Sequence, residues 1–212
     1  MNKRTLMYGI AALVMGLLFI NGLHAQQAGQ HVVQRPEDIS PLLYGEKIPQ
    51  ATLQGASAKE VDLLETVAAK PTVLVFYRGG WCPYCSLQLA GLQEAMPELE
   101  KLGYQLLAIS TDSPEALRES AVKEKLGYTL LSDADLQLAK QFGIAYKAPE
   151  AYWSMLPKTT GGKNTDLLLP VPSVFIVDQA GVIQFEYVNP DFKQRLSAAL
   201  LLAAAKSIRS ER

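Results

Sequence analysis

Short apolar and β-branched blocks alternate along the chain with longer stretches of helical spacing. Thr72-Val-Leu-Val-Phe-Tyr77 is apolar at nearly every position, the pattern of a strand buried on both faces. Gly79-Gly80 breaks it. The segment from Cys82 to about Leu102 then places Leu87, Leu89, Leu92 and Met96 on one face of an expected helix. Pro97 falls inside that helix and is expected to kink or interrupt it. Tyr104–Ser110 reads as the next strand. Ser113-Pro114-Glu115-Ala116 opens a helix, with Ser113 as N-cap and Pro114 at the first helical position, and Gly127 is expected to close it. A strand at Tyr128–Leu131 and a helix from about Asp135 to Phe142 complete a βαβαβα run. Right-handed crossovers make such a run an α/β sandwich with a largely parallel sheet.

Flanking elements are read the same way. Ala51–Leu53 and Glu60–Leu63 surround a Gly/Ser turn and predict a small hairpin. Ser173–Val177 and Val182–Val188 surround Asp178-Gln-Ala-Gly181, a second hairpin signal. Asp191 to about Ser207 reads as a terminal amphipathic helix. Residues 144–170, with Tyr146, Tyr152, Trp153 and a Thr-Gly-Gly-Lys-Asn stretch, form a connection long enough to be functional or mobile. No internal repeat is visible.

The N-terminus changes the picture of the chain's location. Lys3 and Arg4 precede the apolar run Met7–Ile20, followed by Leu23-His24-Ala25. Charge, a short apolar core and a small residue make a signal peptide cleaved after Ala25, with a periplasmic or secreted product. An uncleaved membrane anchor is the alternative, but the run is shorter than the roughly 20 residues that span a bilayer. The expected organisation is a signal peptide at 1–25, a flexible segment at 26–40 and one domain at 41–207. Removing the first 25 residues leaves 18 basic against 21 acidic side chains, a net −3. No basic run suits a phosphate backbone, so nucleic acid is not an expected partner.

Only two cysteines occur, Cys82 and Cys85, and only two histidines, His24 and His31. A structural zinc site wants four such ligands, so no metal is expected. A structural disulfide closing so short a loop would remove little unfolded-state entropy. A redox-active pair remains, and it is its own redox group without any other cofactor. Cys82 at the start of a helix lies beside unpaired backbone N–H groups at the positive end of the helix dipole, which favours its thiolate. Cys85 is one turn further on the same face. Cys82 is therefore expected to attack a disulfide and Cys85 to resolve the mixed disulfide. Trp81 either orients a partner at this site or simply fills core space. Arg78 either adds positive potential near Cys82 or is a solvated loop arginine.

Phe76-Tyr-Arg-Gly-Gly-Trp-Cys-Pro-Tyr-Cys85, Ile109-Ser-Thr-Asp-Ser-Pro114, Leu131-Ser-Asp133 and Pro170-Val-Pro-Ser-Val-Phe-Ile-Val-Asp178 together resemble the peroxiredoxin-like branch of the alkyl hydroperoxide reductase/thiol-specific antioxidant family. The resemblance runs from about Pro41 to Phe192. It implies a thioredoxin-like three-layer α/β/α sandwich with a central mixed sheet and peroxiredoxin-type additions. In thioredoxin-like folds a cis-proline before the later strand lies against the dithiol and presents backbone groups to substrate. That implies a cis Val171–Pro172 bond, with Val171 and Pro172 binding substrate beside Cys82 and Cys85. Alignment on Phe76-Tyr77 puts Arg78 on the family's proline, Cys82 on its threonine, Cys85 on its peroxidatic cysteine and Pro172 on its activating arginine. With three of those four positions replaced, the expectation is a thiol–disulfide oxidoreductase acting on protein or small-molecule disulfides. The alternative is a thiol-dependent peroxidase reducing hydroperoxides with the same pair. Either needs a thiol reductant or oxidant as partner.

Overall fold

The structure, a computed structural model, describes residues 32–210. The expected signal segment and residues 26–31 of the expected lead-in lie outside those residues. From Val33 the lead-in is paired with the domain: Lys147 N donates to Val33 O at 2.7 Å, Ser40 N to Gly143 O at 3.2 Å and Leu42 N to Phe142 O at 3.1 Å. Val33 and Ser40 of the lead-in thus each make a backbone hydrogen bond to the domain.

The central sheet has seven strands. β1 (Thr52–Gly55) and β2 (Glu60–Asp62) form the first hairpin, and α1 (Leu63–Ala69) follows it directly. Asp62 caps α1 by accepting from Glu65 N at 2.8 Å. β3 (Thr72–Tyr77) is buried at all six positions, matching the apolar run residue for residue. After α2 (Pro83–Lys101) come β4 (Gln105–Ser110), α3 (Pro114–Lys123) and β5 (Thr129–Ser132). β8 (Ser173–Val177) and β9 (Ile183–Val188) complete the sheet, in the order β2-β1-β5-β4-β3-β8-β9. β3, β4 and β5 run parallel, and β1, β2, β8 and β9 join antiparallel. The sheet is therefore mixed. The hairpins at both ends of the chain extend the parallel centre that the crossovers create.

Strand alternation sends Val73, Val75 and Tyr77 to one face, where they pack with Leu89, Leu92 and Leu99 of α2. The C-terminal helix α6 (Ala198–Ser210) covers the same face through Leu201 and Ala205. On the other face Phe76 meets Phe142 with ring centroids 4.7 Å apart, and Phe175 lies 5.0 Å from Phe142. Burying both faces of β3 is what fixes the position of its C-terminal end, where the cysteines follow.

Helix ends differ from expectation in instructive ways. α2 is helical through Pro97 to Lys101, so the proline does not interrupt it. Ser113 does cap α3, accepting from Ala116 N at 3.4 Å, with Pro114 at the first position. Lys125 rather than Gly127 closes α3. Lys125 takes a left-handed φ of 52°, Lys125 N donates to Val122 O at 3.3 Å and Leu126 N to Ala121 O at 3.0 Å, a Schellman closure. α4 (Gln137–Gln141) is shorter than expected and follows Leu136 at φ 56°. Its first amides are met by Asp133, which accepts from Leu138 N at 3.0 Å and Ala139 N at 2.8 Å.

Residues 144–170 carry regular structure. β6 (Ala145–Lys147) and β7 (Leu168–Pro170) pair antiparallel as a separate two-stranded sheet, with a 3-10 turn at Glu150–Tyr152 and α5 (Leu156–Thr159) between them. Buried Asn164 stitches this connection by exchanging hydrogen bonds with Leu168 N and O at 2.9 and 2.8 Å. The terminal helix begins at Ala198, so the expected helical start at Asp191 is instead a turned segment. Phe192 of that segment packs edge-on against Tyr84 at 5.6 Å.

Candidate active site

β3 ends at Tyr77, and the chain must turn sharply to begin α2 six residues later. Gly79 takes φ +146°, and a Cβ there would collide with the Trp81 indole. A Cβ on Gly80 would overlap Ser120 Oγ, and Gly80 N donates to Asp112 Oδ2 at 2.7 Å. The two glycines are therefore required by close packing of α3 and the β4–α3 turn against the cysteine loop. Asp112 is buried, also accepts from Ser110 Oγ at 3.2 Å, and burial pushes its carboxyl up to about 6 against those hydrogen bonds.

Cys82 is the N-cap residue of α2, in extended conformation at φ −91° and ψ 116°, with Pro83 at the first helical position. Cys85 N and Ser86 N both donate to Cys82 O, at 2.9 and 3.1 Å. Both cysteines are free thiols, exposed by 2% and 0%. The Cys85 thiol, hydrogen-bonding to Cys82, brings the Cys82 thiol down to about 6. The Cys85 backbone N–H and the Arg78 and Arg195 cations add to this, and burial opposes it. Burial pushes Cys85 the other way, well above the usual thiol range; its hydrogen bond with Cys82 adds to the rise and Arg195 opposes it. The negative charge of the reduced pair thus rests on Cys82.

Arg78 is buried, with 1% exposure, so it is not the solvated loop residue of the alternative reading. Its Cζ lies 4.3 Å from the Phe192 ring, 4.4 Å from Tyr152 and 5.1 Å from Trp81. Its three guanidinium nitrogens find no hydrogen-bond partner among the described residues. The aromatic faces supply the attraction that offsets part of the desolvation cost. Trp81 is half-buried and stacks toward Tyr152 at 5.3 Å. It therefore closes one wall of the arginine cage, beside the cysteines.

Val171 and Pro172 are both buried, and the Val171–Pro172 bond is trans, because no cis peptide occurs among the described residues. This corrects the expected cis bond. The chain leaves the two-stranded sheet at Pro170 and enters the main sheet at Ser173, so an extended trans-proline bridges a real change of sheet. Its neighbours are internally paired: Val171 N donates to Ile144 O at 2.8 Å, Ser173 Oγ to Val171 O at 2.8 Å and Asn189 N to Pro172 O at 3.3 Å. The β3–β8 register places Pro172 at the same end of the sheet as the glycine turn.

One residue was not legible from the sequence. Arg195, in the turned segment before α6, donates from Nη2 to Cys85 Sγ at 3.4 Å. Its Nε donates to Phe192 O at 2.7 Å and its Nη1 to Gln88 Oε1 at 3.1 Å, so the guanidinium is held in place. No group of three or more Cys, His, Asp or Glu residues able to hold a metal ion occurs among the described residues.

Residues 44–186 match the AhpC/TSA family. Peroxiredoxin Bcp of Escherichia coli K12 is 36% identical over 155 residues, 73% of this chain and 90% of that protein. The chloroplastic peroxiredoxin Q of Gentiana triflora is 30% identical over 141 residues, 66% of this chain and 57% of that protein. Among solved structures, the peroxidoxin BcpB of Mycobacterium tuberculosis superposes with a TM-score of 0.64 at 20% identity, covering 80% of this chain and 97% of that one. These likenesses agree with the mixed sheet and the strand–turn–helix placement of the cysteines: the fold is thioredoxin-like, and the chain is an oxidoreductase that belongs to the AhpC/TSA family.

Proposed function

We propose that this chain is a thiol-dependent peroxidase that cycles Cys82 and Cys85 between dithiol and disulfide. The observation that carries the reading is the reduced pair itself, with a thiolate favoured at Cys82 and a protonated thiol within hydrogen-bonding reach at Cys85. The Cys82 thiolate attacks the terminal oxygen of a hydroperoxide. An S–O bond forms, the O–O bond breaks, and two electrons pass from sulfur to oxygen. The departing alkoxide or hydroxide takes a proton from solvent. Cys85 then attacks the Cys82 sulfenic acid, expels water and closes the disulfide. An external thiol reductant returns two electrons and two protons.

The relatives named peroxiredoxins favour this over thiol–disulfide exchange as the main activity, reversing the order expected from the sequence alone. Replacement of the family's activating arginine by Pro172 argues against peroxide chemistry, and the charges of Arg78 and Arg195, which both favour the Cys82 thiolate, weaken that argument. A side-by-side assay of the reduced protein decides between them. Hydrogen peroxide and an alkyl hydroperoxide should each consume both thiols faster, per molecule, than the protein reduces insulin disulfides. Insulin reduction outpacing both peroxides would restore the exchange reading.

Export belongs to the same proposal and rests on Lys3, Arg4, the Met7–Ile20 run and Ala25 alone. Exported protein should begin at Gln26 when its N-terminus is read by mass spectrometry. A retained Met1–Ala25 segment in the exported material would favour an anchor.

A further inference from the structure

We propose that Arg195 is a catalytic residue of this chain, one that activates the resolving thiol Cys85 by hydrogen-bonding to its thiolate at the moment it attacks oxidised Cys82. The inference rests on the dithiol cycle above, and its test uses a disulfide probe so that it stands apart from peroxide reactivity.

Cys85 has a problem that Cys82 does not. It is fully buried and must become an anion to close the disulfide, yet in the reduced pair the first charge goes to Cys82. The helix N-terminus does not help Cys85 as it helps Cys82, since its own amide already donates to Cys82 O. Arg195 is the guanidinium that reaches the sulfur, at 3.4 Å. Its remaining bonds to Phe192 O and Gln88 Oε1 fix it from both sides, so little side-chain entropy is lost when the thiolate forms. Arg195 also borders a groove of ≈ 410 Å³ together with Tyr84, Leu87 and Lys193.

The electrostatics change through the cycle in a way that suits this role. In the reduced pair, the hydrogen bond and negative charge of Cys82 both oppose ionisation of Cys85. Once Cys82 is in a mixed disulfide or a sulfenic acid its negative charge is gone. Burial then remains the main cost, and Arg195 is the cation in contact to offset it. Cys85 is thereby held as a thiol while Cys82 attacks and released as a thiolate when resolution is needed. Chemically, Cys82 in a mixed disulfide bears a leaving thiolate; Cys85 loses its proton to solvent, its sulfur bonds to Cys82 Sγ, and the leaving thiolate departs with its electron pair.

The probe is 2,2′-dithiodipyridine, a small neutral disulfide that releases one coloured thiopyridone for each step. The first release marks attack by Cys82 and the second marks closure by Cys85. In Arg195→Gln, whose amide can still bond Phe192 O or Gln88, the second release should slow by about 10- to 100-fold, the worth of one hydrogen bond to a charged group. Its pH midpoint should move up, and the first release should change far less. Arg195→Lys should recover part of the loss. A second release with unchanged rate and pH midpoint, or a loss confined to the first release, overturns the proposal. An arginine that merely braced the fold would slow both releases together and leave the pH midpoint in place, which also overturns it.

Discussion

Cys82→Ser is expected to abolish oxidation by small peroxides and disulfides near neutral pH, and Cys85→Ser to keep the first step but stop at a Cys82 adduct. The size of the effect depends on pH in a way that identifies the responsible sulfur. A thiol brought down to about 6 is roughly 90% thiolate at pH 7, against about 3% for an ordinary thiol near 8.5, a gain of about 30-fold. Nucleophilicity falls with basicity, and a Brønsted coefficient of about 0.4–0.5 over that span takes back about 10-fold. The net advantage at pH 7 is only a few-fold. At pH 5.5 the thiolate gain grows to about 200-fold while the loss stays the same, leaving roughly 20-fold. The signature is therefore reactivity that persists below neutrality. Rapid alkylation of the reduced protein should show a midpoint close to pH 6 in the wild type. In Cys85→Ala the midpoint should rise, because the largest cause of the lowered value is the hydrogen bond from Cys85, whereas the hydroxyl of Cys85→Ser can still donate and should hold the midpoint down. A Cys82→Ser protein that still forms sulfenic acid rapidly at Cys85 would move the peroxide step to Cys85, as in the family's own register.

What the sequence made legible follows from how local each cause is. Thr72–Tyr77 and Ser173–Val177 were readable residue for residue, because a strand buried on both faces leaves an unbroken apolar run. The N-cap at Ser113 and the helix starting at Pro83 were readable because a capping residue and a following proline act within one turn. The closure of α3 at Lys125 was not, since a left-handed lysine costs energy that only the surrounding packing supplies, and Gly127 nearby offered the cheaper reading. The start of α4 was missed for a similar reason: its cap is Asp133, five and six residues before the amides it accepts from. At the site, Cys82 and Cys85 announce themselves by spacing, whereas Arg195 comes from 110 positions further along the chain and carries no motif. The cage around Arg78 draws on Trp81, Tyr152 and Phe192, three segments whose meeting only the fold decides.

Gly143→Ala is expected to be among the most destabilising single substitutions in this protein, at about 3 kcal/mol or more of unfolding free energy. The residue ends α4 with φ +67°, and its N–H donates to Lys140 O while Ile144 N donates to Ala139 O, both at 3.0 Å. An L side chain held in that left-handed region costs about 1–2 kcal/mol by itself. Here the larger cost is steric. A Cβ would overlap the Ser40 carbonyl oxygen and come within 2.8 Å of its carbon, and backbone cannot swing aside as a side-chain tip can. Relief requires moving Pro41 and Ser40 away, which breaks the Ser40 N to Gly143 O and Leu42 N to Phe142 O hydrogen bonds. Phe142 then loses its seat against Phe76 and Phe175 beneath β3, and Ile144 O loses its alignment with Val171 N at the entrance to β8. The damage therefore reaches the sheet that positions the cysteine loop. Urea unfolding of the reduced proteins measures it, with Gly162→Ala as the comparison: that glycine has φ +79° but open space where a Cβ would lie. Gly162→Ala should show the conformational cost of about 1–2 kcal/mol alone. Equal losses in the two variants would mean that the Ser40 segment yields easily, and that the N-terminal segment does not brace this face of the fold.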